Sequence, residues 1–262
     1  MKIFVYIQQD EGQINSVSLE ALQGAQEIAQ KCNGSVTAIT FNAAISNTLA
    51  NYDLNEIILI ENHQLEEYNP LFYVKALYDI FDEKQFNFII FGHTYETRDW
   101  VPRLSARLDI PFISDCINFN SEPELTFTRS VYQGKLNSEV SSNNDKCIIS
   151  FQSGAFKSDQ IKLGNSKIQN ISVDLSAVPD IIQPGEKFQE SESSVDLSQA
   201  EIIVSVGRGI GKEENLIIAK QLATSLKAEL ASSRPVVDSG WLEAYHQVGS
   251  SGQNVSPKLY FA

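Results

Sequence analysis

The sequence predicts an α/β fold, with a mainly parallel α/β sheet domain over residues 1–190, a linker at 191–199 and a smaller strand–helix unit over 200–262. Three observations predict it. Short, nearly continuous apolar runs such as KIFVYIQ (2–8), EIILIEN (56–62) and FNFIIFG (86–92) read as strands buried on both faces, as a parallel sheet requires. Segments of helical period, roughly ten to fifteen residues long, separate those runs. Finally, EKFQESESSVDLSQ (186–199) loses the hydrophobic pattern and carries Glu186, Glu190, Glu192 and Asp196 against one lysine, which marks a linker.

The elements follow in order. After KIFVYIQ, the apolar positions Leu19, Leu22, Ala25, Ile28 and Ala29 recur at the helical period over 18–31, and Asn33-Gly34 supplies a C-terminal stop. SVTAITF is the next strand; a polar helix-like stretch and EIILIEN follow it. Residues 69–83 read as a helix with Pro70 in its first turn, FNFIIFG is the most apolar strand, and 98–108 is again helical. From 111 to 174 the character changes. LTFTRSVYQ, KCIISFQS and KIQNISVDL, joined by Gly, Asn and Ser turns, are expected to form an antiparallel extension of the sheet. In the second unit a strand over 201–206 leads through Gly207-Arg208-Gly209-Ile210-Gly211 into a helix over 213–226, and the next strand ends near Ala231.

Composition bounds the function. Apolar residues at 42 % and charged residues at 20 % give an ordinary globular balance. The net charge of −13 disfavours nucleic acid, because a chain that repels phosphate lacks the counterion-release term behind most non-specific affinity. No apolar run approaches the roughly 20 residues needed to span a bilayer, and MKIFVYIQQD lacks the pattern of a secretory signal. Cys32, Cys116 and Cys147 are far apart and form no CxxC, so neither a disulfide framework nor zinc is expected, and a cytoplasmic location is. His63, His93 and His246 are scattered, so no metal site is expected. Nor does any carboxylate pair suggest acid–base catalysis.

Three segments are candidates for ligand binding. The GRGIG turn sits between a strand and a helix, where free N–H groups and open glycines suit phosphate. Lys212 stands where the dinucleotide fingerprint needs its last glycine, so a plain glycine-rich turn is an equal alternative; the guanidinium of Arg208 leans the reading toward an anion. Ser232-Ser233-Arg234-Pro235 follows the next strand, at the sheet edge where open α/β folds bind ligands, although a loop-capping arginine is the simpler reading of that motif alone. Gln247-Val248-Gly249-Ser250-Ser251-Gly252 is a tight hydroxyl-bearing loop without the spacing of a nucleophile elbow, and by itself reads as a polar turn. His93, after a strand end, reads as a hydrogen-bonded loop histidine.

In order along the chain, FGHTYETRDWVPRLSARLDIPFISDC (91–116), FTRSVYQGK (127–135), SFQSGAF (150–156), DLSQAEIIVSVGRGIG, ASSRPVVDSGW and HQVGSSGQNVSPKLYFA resemble successive blocks of one family. It is the α subunit of electron transfer flavoproteins, the heterodimeric carriers that accept electrons from acyl-CoA and related dehydrogenases, as in fatty acid oxidation. The family usually has arginine where Gln152 stands, a common glycine where Val206 stands, and threonine where Ser251 stands. The resemblance implies a Rossmann-like FAD-binding second domain, a β-subunit partner, and an electron carrier rather than a substrate-converting enzyme. It implies that Arg208 contacts FAD, that Ser233 hydrogen-bonds to it, and that Arg234 brings positive charge beside the ring. Val248, Gly249, Ser250 and Ser251 would line the flavin's polar edge, with the Ser251 hydroxyl directed at N5. The family continues past the PKLYFA strand with a Ser-Gly-Ala-Ile-Gln-His loop, so the second domain is expected to be partial and to bind FAD weakly or not at all. The contrasting expectations are a flavin-free scaffold for the β subunit and an adenine-nucleotide-binding α/β subunit.

Overall fold

The computed structural model describes residues 1–10, 12–132, 134–183, 185, 197, 200–249, 252–253 and 255–262. The chain divides into two compact units, Met1–Gly185 and Glu186–Ala262.

The first unit runs β1 (Lys2–Tyr6), β2 (Gln9–Asp10), β3 (Gln13–Ile14), α1 (Ser16–Lys31), β4 (Ser35–Thr40), α2 (Ala43–Leu49) and β5 (Glu56–Glu61). It continues through α3 (Pro70–Glu83), β6 (Phe88–Gly92), α4 (Tyr95–Leu108), β7 (Phe112–Asn120), β8 (Thr126–Val131), β9 (Leu136–Val140), β10 (Cys147–Phe151) and β11 (Ile168–Ser172). Nine of these strands form one sheet in the order β11-β5-β4-β1-β6-β10-β7-β8-β9. Every pairing from β11 across to β7 is parallel, and β7–β8 and β8–β9 are antiparallel.

The expected antiparallel extension therefore holds for β8 and β9 but not for β10 or β11. KCIISFQS forms β10, inserted in parallel between β6 and β7, and KIQNISVDL forms β11, parallel to β5 at the opposite edge. Burial explains the first. All five residues of CIISF are buried, and a strand covered on both faces belongs in the middle of a helix-flanked sheet.

Local signals set the helix ends. The Asn15 side chain accepts from Val17 N at the start of α1, and Asn69 accepts from Leu71 N ahead of Pro70 at the start of α3. Helix α4 begins at Tyr95, three residues before the periodicity suggests, because Thr94 and Thr97 close a capping box. Thr94 Oγ1 accepts from Thr97 N at 3.1 Å, and Thr97 Oγ1 accepts from Thr94 N at 2.9 Å. Two apolar cores fill the unit. One gathers Leu22, Ile28, Ile57 and Phe151; the other gathers Tyr6, Tyr73, Phe91 and Trp100, whose rings meet edge-on or tilted. Cys116 and Cys147 are buried free thiols, and burial pushes them up to about 12 and about 11.

The second unit contains β12 (Ile202–Val206), α5 (Leu216–Leu226), β13 (Glu229–Ser232), α6 (Arg234–Asp238) and β14 (Leu259–Phe261). Its strands pair in parallel in the order β13-β12-β14. The helix expected from 213 opens as a 3₁₀ turn, Glu213–Asn215, and becomes α-helical at Leu216; no side chain caps either start, and a tighter turn is the usual remedy. Val204, Val206, Leu216, Ala219, Ala223 and Val236 pack on one sheet face, and Leu197, Ile203 and Ala231 on the other. Among the described residues no helix is long and apolar enough to cross a membrane.

Candidate functional site

Two predicted segments meet at the carboxyl edge of the second sheet. β12 and β13 are parallel with Val206 opposite Ser232, so the residues that follow them, Gly207 and Ser233, leave the sheet side by side. Ser233 N donates to Val206 O at 3.0 Å, and a Cβ placed on Gly207 would lie 3.8 Å from Ser233 Oγ. Arg208–Ile210 is a 3₁₀ turn closed by Ile210 N to Gly207 O and Gly211 N to Arg208 O, both 3.1 Å. The amides of Arg208 and Gly209 enter neither bond. No atom of the described residues stands within 4 Å of where a Gly209 side chain would begin. Arg208 is exposed. Arg234 opens α6 and pairs with Asp238 at 3.4 Å, but with the two side chains 65 % and 62 % exposed this pair restrains the guanidinium little.

The third segment joins the same edge. Val248 N donates to Ser232 O at 2.9 Å, so the loop leaves alongside β13. It closes on itself through Gln253 N to Gln247 O (2.8 Å), Gly252 N to Gly249 O (3.0 Å) and Gly249 N to Gln253 O (3.1 Å). Gly249 has φ 106°, the left-handed region that favours glycine. A Cβ on Gly252 would lie 2.3 Å from Gln247 O, so the loop closes only over a glycine. His246 Nδ1 lies 2.6 Å from Leu230 O and anchors the approach to the loop. Arg208, Ser233, Arg234, Val248 and Gly249 thus gather at one sheet edge, while Ser250 and Ser251 lie outside the described residues.

This edge fits an anionic, electron-rich ligand. It offers two unused amides, a serine hydroxyl, two exposed guanidinium groups and a glycine turn open to close approach. Ser232 Oγ, at the end of β13, is buried with no hydrogen-bond partner among the described residues, an unspent polar atom beneath the edge. An open groove of about 630 Å³ begins at Gly211 and runs along Lys212, Leu216, Ile217 and Trp241; it is lined by none of the predicted site residues.

The first unit has a carboxyl edge of a different kind. Its strand order reverses between β1 and β6, where open α/β sheets usually bind nucleotides. The chain's own residues fill that point. A Cβ on Gly92 would lie 3.0 Å from both C and O of Val17, so the first turn of α1 rests on the end of β6. Gln8, 5 % exposed, donates from its backbone to Ser18 Oγ (3.1 Å), accepts from Thr94 Oγ1 (2.6 Å), and donates to Asp10 Oδ1 (3.2 Å).

Beside it is a grouping that the sequence did not reveal. His93 Nδ1 lies 2.9 Å from Ser150 Oγ, and its Nε2 lies 3.7 Å from Asp115 Oδ1. His93 follows β6, Asp115 lies within β7 and Ser150 near the end of β10, and no local motif links them. Ser150 is 1 % exposed and also accepts from Asp115 N at 3.1 Å, so it locks the edge and is closed to substrate. Burial holds His93 below the usual histidine range; Arg98 and Arg129 reinforce this and Asp115 opposes it. Among the described residues no three His, Cys, Asp or Glu side chains group to hold a metal ion.

Known proteins share both units. Residues 3–176 match the family described as electron transfer flavoprotein domain, and residues 196–262 match the electron transfer flavoprotein FAD-binding domain. The chain is 30 % identical over 266 residues to Protein FixB of Clostridium saccharobutylicum, covering 99 % of this chain and 80 % of that protein. It is 26 % identical over 270 residues to the electron transfer flavoprotein subunit alpha of Clostridium acetobutylicum (99 % and 80 % covered). To the subunit alpha of Bacillus subtilis it is 28 % identical over 266 residues (100 % and 81 % covered). With one family's two domains matched in succession over nearly its whole length, the chain belongs to the electron transfer flavoproteins as an α-subunit-type member, and its role is in electron transfer.

Proposed function

We propose that the chain is the α subunit of a heterodimeric carrier that holds FAD at the carboxyl edge of β12 and β13 and takes electrons from acyl-CoA-type or related dehydrogenases. The observation that carries this is the junction of Gly207 and Ser233, which sets the arginine turn and the serine–arginine segment side by side at one strand edge. Bound FAD supplies reversible one- and two-electron chemistry. The protein supplies position and charge. Arg208 and the adjacent amides hold negative oxygens, and Ser233 donates or accepts one hydrogen bond. Arg234 favours negative charge on the reduced ring. The loop Val248, Gly249, Ser250 and Ser251 would border the polar edge, a role that for Ser250 and Ser251, and for the Ser251 hydroxyl toward N5, rests on the family resemblance alone. In this reading 1–190 is the platform domain, 191–199 the linker and 200–262 the cofactor domain; the partner is a β subunit, and the setting is cytoplasmic.

The test is equilibrium dialysis of FAD against the chain co-expressed with its β subunit, wild type beside an Arg208→Ala, Ser233→Ala double variant. Loss of two hydrogen bonds to charged groups, at roughly 1.5–3 kcal/mol each, should weaken binding on the order of 10²–10⁴-fold. Equal affinities would remove this edge from the cofactor site.

A further inference from the structure

The first unit holds an arginine that no carboxylate of the described residues pairs with. Arg129 lies in β8, opposite Cys116 of β7 and Ser138 of β9, and on the same strand face as the buried Phe127. Among the described residues its Nε is buried with no hydrogen-bond partner, and its Nη2 donates only to Ser114 Oγ, at 3.3 Å. No Asp or Glu oxygen of the described residues comes within the 4.0 Å of an ion pair with it.

Its surroundings leave that positive charge standing. Burial, joined by the charges of Arg98 and Arg129, disfavours protonation of His93. Asp115, the nearby carboxylate, is turned by a left-handed backbone (φ 60°) toward His93 Nε2. The field of Glu96 falls on Tyr6, Tyr68 and Tyr73 of the other core. Among the described residues Arg129 therefore stands without an ion-pair partner, in a chain whose net charge is −13. A half-buried guanidinium without a counter-ion is unfavourable, and its planar fork is shaped for two parallel bonds to an oxyanion.

We propose that Arg129, with Ser114 at its side, is an oxyanion-binding site of the first unit, distinct from the residues proposed to hold the flavin. The oxyanion is either a free phosphate- or carboxylate-bearing small molecule or a carboxylate side chain of the partner subunit. In both cases the fork of Arg129 receives it and Ser114 orients the fork.

Inorganic phosphate is the probe, titrated into the purified full chain at constant ionic strength while Tm and the Arg Nε–H NMR signals are followed. A saturable rise in Tm is expected, with one Nε–H signal shifting in step. Arg129→Gln should weaken the response about tenfold or more, and Arg129→Lys, which keeps the charge but loses the fork, by less. Without phosphate, Arg129→Gln should melt no lower than wild type, since it removes an uncompensated charge. The complex with the β subunit separates the two sources. A phosphate response that persists there identifies a free anion. One that vanishes there, with Arg129→Gln weakening the complex tenfold or more, identifies a partner carboxylate. A response equal in wild type and Arg129→Gln, together with unchanged subunit affinity, would overturn the site. So would a lower Tm of Arg129→Gln without phosphate and no change in either affinity, because Arg129 would then serve only its bond to Ser114.

Discussion

Gly252→Ala tests whether the 247–253 loop is a preformed wall of the proposed site. The added methyl would start 2.3 Å from Gln247 O and 2.7 Å from Gln247 C, whereas ordinary contact begins at 3.4 Å. The obstacle is backbone, so no rotamer relieves it, and the two sides of the loop must part by about 1 Å. That movement acts directly on Gln253 N to Gln247 O, now 2.8 Å, and on Gly252 N to Gly249 O, now 3.0 Å. Losing both, at about 1 kcal/mol each, raises the free energy of the closed loop by about 2 kcal/mol. If FAD requires the closed loop, its affinity falls about 30-fold, while the smaller entropy of the unfolded alanine chain offsets part of the effect on global stability. FAD titration of the variant with its β subunit, alongside amide hydrogen exchange at Val248 and Gly249, measures both effects. Gly209→Ala is the complementary control, because its methyl meets nothing among the described residues and lost affinity there points to a clash with ligand. Unchanged FAD affinity in Gly252→Ala, with faster exchange at Val248 and Gly249, would show that the loop opens without consequence and refute its place in the site.

Three other outcomes are expected. Thr97→Ala removes a buried hydroxyl that accepts from Thr94 N and donates to Gly92 O at 2.6 Å, so the first unit should lose about 1–2 kcal/mol, read by urea unfolding. His93 is held below 6.5 in the folded chain by burial, with Arg98 and Arg129 against protonation and Asp115 for it, so the unfolded chain binds the proton more readily. Stability should therefore decline as pH falls from about 6.5 toward the folded-state value and be insensitive to this group above 6.5, and His93→Gln should remove that part of the Tm–pH curve. Arg234→Ala should leave unfolding within about 0.5 kcal/mol of wild type, because its ion pair to Asp238 is exposed, yet shift the flavin potentials in a potentiometric titration; unmoved potentials would end the role proposed for Arg234.

Much of the architecture is legible where burial leaves a pattern in the residues. EIILIE and FIIFG are so continuously apolar that only a strand covered on both faces accommodates them, and they become β5 and β6. Partner choice is another matter. CIISF carries the same apolar signal, but nothing local says that it inserts between β6 and β7 after the chain has already built β8 and β9. The start of α4 escapes periodicity because Thr94 and Thr97 cap it with two threonines rather than the familiar Ser/Thr with Glu. At the site, the GRGIG, SSRP and QVGSSG segments are visible one by one as turns rich in glycine and hydroxyls. Their meeting depends on the register of Val206 with Ser232, a property of the folded sheet. His93, Asp115 and Ser150 show the limit, since each is unremarkable in its own segment and only strand order joins them.

The two carboxyl edges differ in what admitting a ligand would cost, and that difference supports the proposal that the cofactor site belongs to the second unit. Both are ends of parallel strands, and both sit where an α/β sheet offers donors to a ligand. To admit a nucleotide at the β1–β6 point, the chain would have to break the bond from Thr94 to Gln8 and lift the first turn of α1 off Gly92. Leaving buried groups such as Gln8 and Thr94 unpaired costs about 1–3 kcal/mol each, and the ligand would have to replace every bond merely to break even. At the β12–β13 edge nothing need be broken. Gly209 faces open space, the amides of Arg208 and Gly209 are unused by their turn, and the Arg234 side chain is tied only by an exposed ion pair. The residues that make the first edge rigid are the ones that close it, which weighs against the adenine-nucleotide reading of the first unit and in favour of the proposed site at the second edge.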